Sequence, residues 1–259
     1  MIHVLENFRR INRDSALRLV KEELKKLTQG LSVNIDMVDL DNHGWACLDF
    51  SGADSEVLTE TIRRRYGIAT TDISKLERGE VTRGIVVDSS SFGYGIYVDI
   101  CLRSSNRMDA LFPLHSMRSQ LVDGMKLPGR TISKRYCLQE GFPLEVRVTN
   151  VNVDSRKVEV ELSDRQVSYF KDWNRFPFDR VILIGCSIDA LKEAVDLASL
   201  RRDVAGIESQ SLTAHVLLCK LGTDAPGVIP QIGPRLKGVS IYAFQPRAKW
   251  IRSPTTDER

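Results

Sequence analysis

Apolar positions along the chain fall into three blocks with different periods. Over residues 1–76, helical and strand periods alternate. Ile2–Phe8 is a short apolar run that predicts a strand. From about Asp14 to Gln29, Leu17, Val20, Leu24 and Leu27 recur at spacings of three and four, which is one face of a helix. Arg18, Lys21, Glu22, Lys25 and Lys26 take the other face, and Gly30 ends the helix. Leu31–Leu40 and Trp45–Phe50 predict two strands, and the turn residues Asp41-Asn42-His43-Gly44 between them predict a hairpin. A second helix is predicted from about Asp54 to Tyr66, with Val57, Leu58, Ile62 and Tyr66 inward and Gly67 as its stop.

The pattern changes over residues 77–165. Val81–Val87, Gly95–Ile100, Ala110–Leu114, Leu144–Val151 and Val158–Leu162 predict short strands separated by Gly, Ser, Asn and Asp. Five such strands suggest a small barrel, interrupted at 118–141 by an inserted helix or loop. Over residues 166–244 the helix–strand alternation returns. Strands are predicted at Arg180–Gly185, Leu212–Lys220 and Val239–Phe244, with helices from Ile188 to Leu200 and from Pro226 to Gly238. Residues 245–259 are polar and predict a mobile tail. The reading is a multidomain α+β chain: a ferredoxin-like α/β domain, a central β-barrel, and a C-terminal ferredoxin-like or ACT-like α/β domain.

Composition narrows the function classes. The chain has 259 residues, 42% hydrophobic and 27% charged, which are globular values. Its net charge of +3 is mild, and no part is a polycation, so a nucleic-acid site has to be a local patch. Stretches without charge, such as Ser89–Val98, are far shorter than the ~20 residues of a membrane span. The opening MIHVLENFRR has no secretory pattern. Cys47, Cys101, Cys137, Cys186 and Cys219 are scattered and odd in number, which fits reduced cytoplasmic thiols better than disulfides or a C-x-x-C zinc site. His3, His43, His115 and His215 fit no metalloprotease spacing, and the phosphate-loop, nucleophile-elbow and dinucleotide motifs are missing. The expectation is a non-catalytic protein without metal or cofactor.

Four blocks of the middle segment carry a resemblance. They are Gly79 to Val86, then Tyr94-Gly95-Ile96-Tyr97-Val98-Asp99, then Asp109-Ala110-Leu111-Phe112, and finally Val146-Arg147-Val148 through Val153-Asp154 to Leu162-Ser163. In this order they resemble the S1 domain, a five-stranded OB barrel common in RNA-binding proteins. The resemblance implies single-stranded or structured RNA as the partner, bound in the setting of a ribosome or RNA-processing complex, with no membrane involved. Such barrels read single strands by stacking bases on aromatic rings beside a basic phosphate track. The residues it nominates are Tyr94, Tyr97 and Phe92 for stacking, and Arg83, Arg103, His115, Arg147 and Lys157 on the barrel. Lys126, Arg130, Lys134 and Arg135 would extend the track along the insertion.

Local chemistry leaves alternatives open. Tyr94 and Tyr97 are three apart, so an ideal strand sends them to opposite faces. Gly93 and Gly95 permit an irregular entry that brings both rings to one surface. Otherwise one ring fills the barrel. The basic insertion reads equally as a solvated loop. Pro113 stands where S1 domains often carry histidine, and Glu159 where a basic residue is usual, which raises a protein-binding scaffold as an alternative to RNA. Arg63-Arg64-Arg65 suits the C-terminal end of a helix. Asp224-Ala225-Pro226-Gly227 resembles the ligand loop of ACT domains, which suggests a small-ligand sensor, but it also reads as a helix cap with proline in the first turn. Gly185-Cys186-Ser187 lies at a strand-to-helix turn, yet no histidine near it in sequence would activate the thiol. The run Cys219-Lys220-Leu221-Gly222-Thr223-Asp224-Ala225-Pro226-Gly227 and the later Ile232-Gly233-Pro234, with Gly95 to Asp99, resemble an uncharacterised archaeal family, that of domain of unknown function 2110.

Overall fold

The computed structural model of the protein describes residues 1–88, 93–102 and 108–246. It begins with β1 (Ile2–Asn7), α1 (Arg13–Leu27), β2 (Asn34–Leu40), β3 (Trp45–Ser51) and α2 (Ser55–Arg65). The sheet order is β1-β3-β2, with every pair antiparallel. Asn12 caps α1 by accepting from Ser15 N at 2.8 Å, which fixes the helix start. Val4, Phe8, Val20, Leu24, Leu48, Leu58 and Ile62 close one core between the sheet and its helices. After α2 the chain turns at Gly67 (φ +86°), a left-handed position suited to glycine. It then lies along β1, where Leu5 N donates to Gly67 O at 3.1 Å and Val4 bridges Ile68. Residues 31–33, read as strand from the sequence, precede β2 instead.

A closed barrel follows: β4 (Val81–Asp88), β5 (Gly95–Asp99), β6 (Ala110–Pro113), β7 (Pro143–Asn152) and β8 (Lys157–Leu162), in the order β4-β5-β6-β8-β7. Alternate residues point inward. Val86, Ile96, Val98, Phe112, Val146, Val148, Val160 and Leu162 are buried together. The insertion forms α3 (Leu114–Leu121) and α4 (Gly129–Arg135). Met117, Leu121, Val122, Ile132, Tyr136 and Leu138 sink into the barrel's own core, each at 5% exposure or less. Burying side chains of this size stabilises by roughly 1.5–3 kcal/mol apiece. The insertion is therefore a pair of packed helices, not a loop, with Lys126, Arg130 and Lys134 exposed on its outer side.

Ser163 ends β8 and caps α5 (Asp164–Arg175), accepting from Gln166 N at 3.1 Å. This helix is absent from the elements expected from the sequence. Next come β9 (Arg180–Ile184), α6 (Ile188–Leu197), β10 (Val204–Ser209), β11 (Ala214–Cys219), α7 (Ala225–Ile232) and β12 (Ser240–Phe244). Their sheet runs β10-β11-β9-β12, antiparallel throughout. One face, with Val181, Leu183, Leu217 and Cys219, packs against α6 and α7. The other, with Ile182, Ile184, Val216 and Phe244, joins the barrel core through α5. Trp173 sits 4.8 Å from Phe244 and 5.3 Å from Phe170, which in turn lies 5.3 Å from Tyr136, all by ring centroid. Among the described residues no helix is long and apolar enough to cross a membrane. From residue 247 on, the expected mobile tail lies outside the described residues.

Candidate nucleic-acid interface

Strand β5 enters the barrel at Gly95. A Cβ there would stand 2.4 Å from the carbonyl oxygen of Phe112, so only glycine allows β5 this close to β6. Just before it, Tyr94 O accepts from Leu114 N at 2.7 Å, which pins the residue to the first turn of α3. The two tyrosines meet on one outer surface. Their hydroxyls are 3.2 Å apart, with ring centroids 6.5 Å apart and planes at 86°. Tyr94 is 52% exposed and Tyr97 half-buried. The hydrogen bond with Tyr94, helped by burial, pushes the Tyr97 hydroxyl up to about 12, so it stays protonated at neutral pH. Neither ring fills the barrel; Ile96 and Val98 do that.

The neighbouring charge is mixed. Across the sheet Tyr97 pairs with Leu111, and Leu111 with Glu159. The charge of Asp109 also acts on Tyr97. Arg83 and Arg147, among the nominated cations, are engaged in the fold. Arg83 donates to Arg65 O at 3.2 Å, at the end of α2, and Arg147 is paired with Asp164. Lys157 and His115 are exposed, the latter in the first turn of α3 beside Tyr94's backbone contact. On the insertion, Lys126, Arg130 and Lys134 are exposed and Arg135 is half-buried. Arg130 and Lys134 are four apart and share a face of α4. Tyr136 is buried, its hydroxyl donating to Leu121 O, and offers no stacking surface. Phe92 and Arg103 lie outside the described residues.

Other features resolve into structure. In the triple-arginine run, Arg64 pairs with Glu60 at 2.7 Å and Arg65 with Glu23 at 3.0 Å. Asp224 caps α7, accepting from Gly227 N at 2.8 Å. Burial pushes the Cys186 thiol up to about 12, far from a reactive thiolate. One cleft has no signature in the sequence. A space of about 390 Å³ between β4, β7, α5 and β10 is lined by Arg83, Glu145, Arg165, Tyr169 and Gln210. Its residues are too far apart along the chain to form a motif.

The parts define a three-part α+β protein built around a closed barrel with a paired-tyrosine surface. The chain belongs to the DUF2110 family: the family's central domain matches residues 76–174 and its C-terminal domain residues 178–243. A comparison with curated proteins finds no match. Among solved structures, the chain has a similarity to the uncharacterized protein MJ1198 from Methanocaldococcus jannaschii. It is 16% identical and covers 35% of this chain and 96% of that one, with a TM-score of 0.24. Another is the intact alpha subunit of aIF2 from Pyrococcus abyssi, 11% identical, covering 66% of this chain and 97% of that one, also at 0.24. At these scores neither likeness carries an argument.

Proposed function

We propose that the protein is a non-catalytic RNA-binding protein that takes single-stranded RNA on the barrel surface around Tyr94 and Tyr97, in translation or RNA processing. The carrying observation is the tyrosine pair. Two rings that alternation would separate share one exposed surface, held by Gly95 and by the hydrogen bond between Leu114 N and Tyr94 O. A ring surface of this kind takes bases of any sequence. The barrel order β4-β5-β6-β8-β7 is that of an S1-type OB barrel, which supports the reading. The orders β1-β3-β2 and β10-β11-β9-β12 fit ferredoxin-like sheets, the second also an ACT-like one. Lys126, Arg130 and Lys134 supply phosphate contacts on the outer side of the insertion.

Glu159 and Asp109 near the rings favour a second reading, a scaffold surface for a basic or apolar protein segment. Titration of the full chain with fluorescent single-stranded RNA in low salt separates the two. Saturable binding in the micromolar range or tighter is expected. Absence of binding, with protein subunits recovered by pull-down through the same tyrosines, would favour the scaffold.

A further inference from the structure

We propose that His3, Asp41 and Cys101 hold a zinc ion at the junction of the N-terminal sheet and the barrel. A donor atom from each of the three side chains lies within 4.8 Å of the other two. In a tetrahedral zinc site, with bonds of about 2.0–2.3 Å, donors stand about 3.3–3.8 Å apart. The set closes around an ion when His3 and Cys101 move toward Asp41 by about an ångström.

Each donor is delivered by a different element. His3 is on the face of β1 turned away from α1 and α2, directly opposite Cys47 of β3. On the same face, Leu5 and Trp45 pack against Ile85 and Cys101 of the barrel. Asp41 opens the hairpin turn. One carboxyl oxygen accepts from His43 N at 2.8 Å and from Trp45 N at 2.9 Å, which fixes the group in place. Cys101 follows β5, with its N–H donated to Asp99 at 2.9 Å. His3 and Cys101 are 7% and 3% exposed, and Asp41 is half-buried.

The chemistry selects the ion. Thiolate, imidazole and carboxylate together suit a borderline divalent metal with tetrahedral preference, and not calcium or magnesium, which take oxygen donors. Cys47 Sγ stands 3.0 Å from His3 Nδ1. This contact orients the ring, the role of an outer partner to a metal-bound histidine. The fourth position falls to water on the half-buried side, at Asp41. An imidazole, a carboxylate and a thiol gathered in a largely buried seam are costly to bury, and a cation among them offsets that cost. Zinc enters as Cys101 gives up its thiol proton to solvent, so affinity falls as pH falls. The ion's role is to staple residues 3 and 41 of one part to residue 101 of the next.

The test uses the full, untagged chain after chelator dialysis. Cobalt(II) is titrated first, as a coloured stand-in, and zinc is then added in competition. One equivalent of cobalt is expected, with a thiolate-to-cobalt charge-transfer band that zinc abolishes, and zinc should raise the melting midpoint. Cys101→Ser should remove the band. Cys47→Ser should keep it while weakening the metal about 10–100-fold, as for other outer partners. Failure of the wild-type protein to take up cobalt or zinc would overturn the proposal whether or not the variants fold. An undiminished band in folded Cys101→Ser would do the same.

Discussion

Asp99 of the barrel accepts a hydrogen bond from the indole nitrogen of Trp45, in the N-terminal sheet, at 3.3 Å. Its other oxygen takes Arg9 at 3.2 Å, and the Asp99 side chain is only 7% exposed. The acid that closes the Tyr-Gly-Ile-Tyr-Val-Asp run is thus a bolt between two parts of the chain. Asp99→Ala should cost about 1.5–3 kcal/mol of stability, the range for hydrogen bonds to a charged group. A urea melt checks this. In the double variant with Trp45→Phe, the two losses should sum to more than the measured total, because they share one interaction.

Tyr94→Ala should weaken single-stranded RNA binding by about 1–3 kcal/mol and leave the melting midpoint nearly unchanged, since the ring is half exposed. Phenylalanine at the same position should bind almost as well, because stacking uses the ring. RNA titration and thermal melting of the same samples decide it. A Tyr94→Ala protein with wild-type affinity would remove the stacking surface from consideration.

Salt dependence reads the insertion separately from the rings. Replacing Lys126, Arg130 and Lys134 by alanine should flatten the log–log salt slope of RNA binding by about 2, at about 0.7 for each single-strand phosphate no longer neutralised. The folded state should survive, as these side chains are exposed while Met117 and Ile132 hold the helices down. An unchanged slope would mean that phosphates do not follow α4.

Glu6 links pH to the packing of the first and last parts. It is buried and accepts from Leu212 N at 2.8 Å. Burial raises its carboxyl from an ordinary 4.5 to about 7, against the lowering effects of Leu212 N–H and Arg83. The folded form holds the proton more tightly than the unfolded chain. Its contribution to stability is therefore full below about pH 4.5 and is lost as pH rises through about 7. Over that window the loss is on the order of 3 kcal/mol. Glu6→Gln should flatten this part of the stability–pH curve, measured by urea melts from about pH 4.5 to about pH 7.5. A slope identical to wild type would acquit Glu6.

Asp224 is a cap, and substituting it should act on the fold. Asp224→Ala should lower stability by about 1 kcal/mol through loss of the bond to Gly227 N. Amino acids added at millimolar concentration should leave the melting midpoint where it was. A shift with one amino acid, abolished in Asp224→Ala, would favour a sensor instead.

Some elements are plain in the sequence and others are hidden. Helix α1 carries a clean apolar stripe and α2 a shorter one, with Leu58 and Ile62 buried but Val57, expected inward, exposed; the barrel strands alternate, so local periodicity is enough to find them. Helix α5 carries an apolar stripe of its own at Val167, Phe170 and Trp173, which the sequence reading passed over, and it serves a junction between two parts. β10 escapes local periodicity because it is a half-exposed edge containing Gly206 and Glu208. In the candidate site, the glycines around Tyr94 hint at an irregular entry, but the shared surface of the rings depends on neighbours at Phe112 and Leu114. No local signal pairs Arg147 with Asp164, or Asp99 with Trp45. Those partners are set by tertiary packing alone.

Trp173 and Phe170 also bear on where this chain can be divided. The barrel and the C-terminal sheet share a wall, with Phe142 stacked on Phe170 at 6.3 Å and Tyr136 lying 6.1 Å from Phe244. A gene fragment that stopped at the last barrel strand would encode a barrel with Ile132, Tyr136 and Phe142 laid open to water. One that began at β9 would encode a sheet with an oily underside. Neither half could be exchanged for an unrelated one without rebuilding this wall.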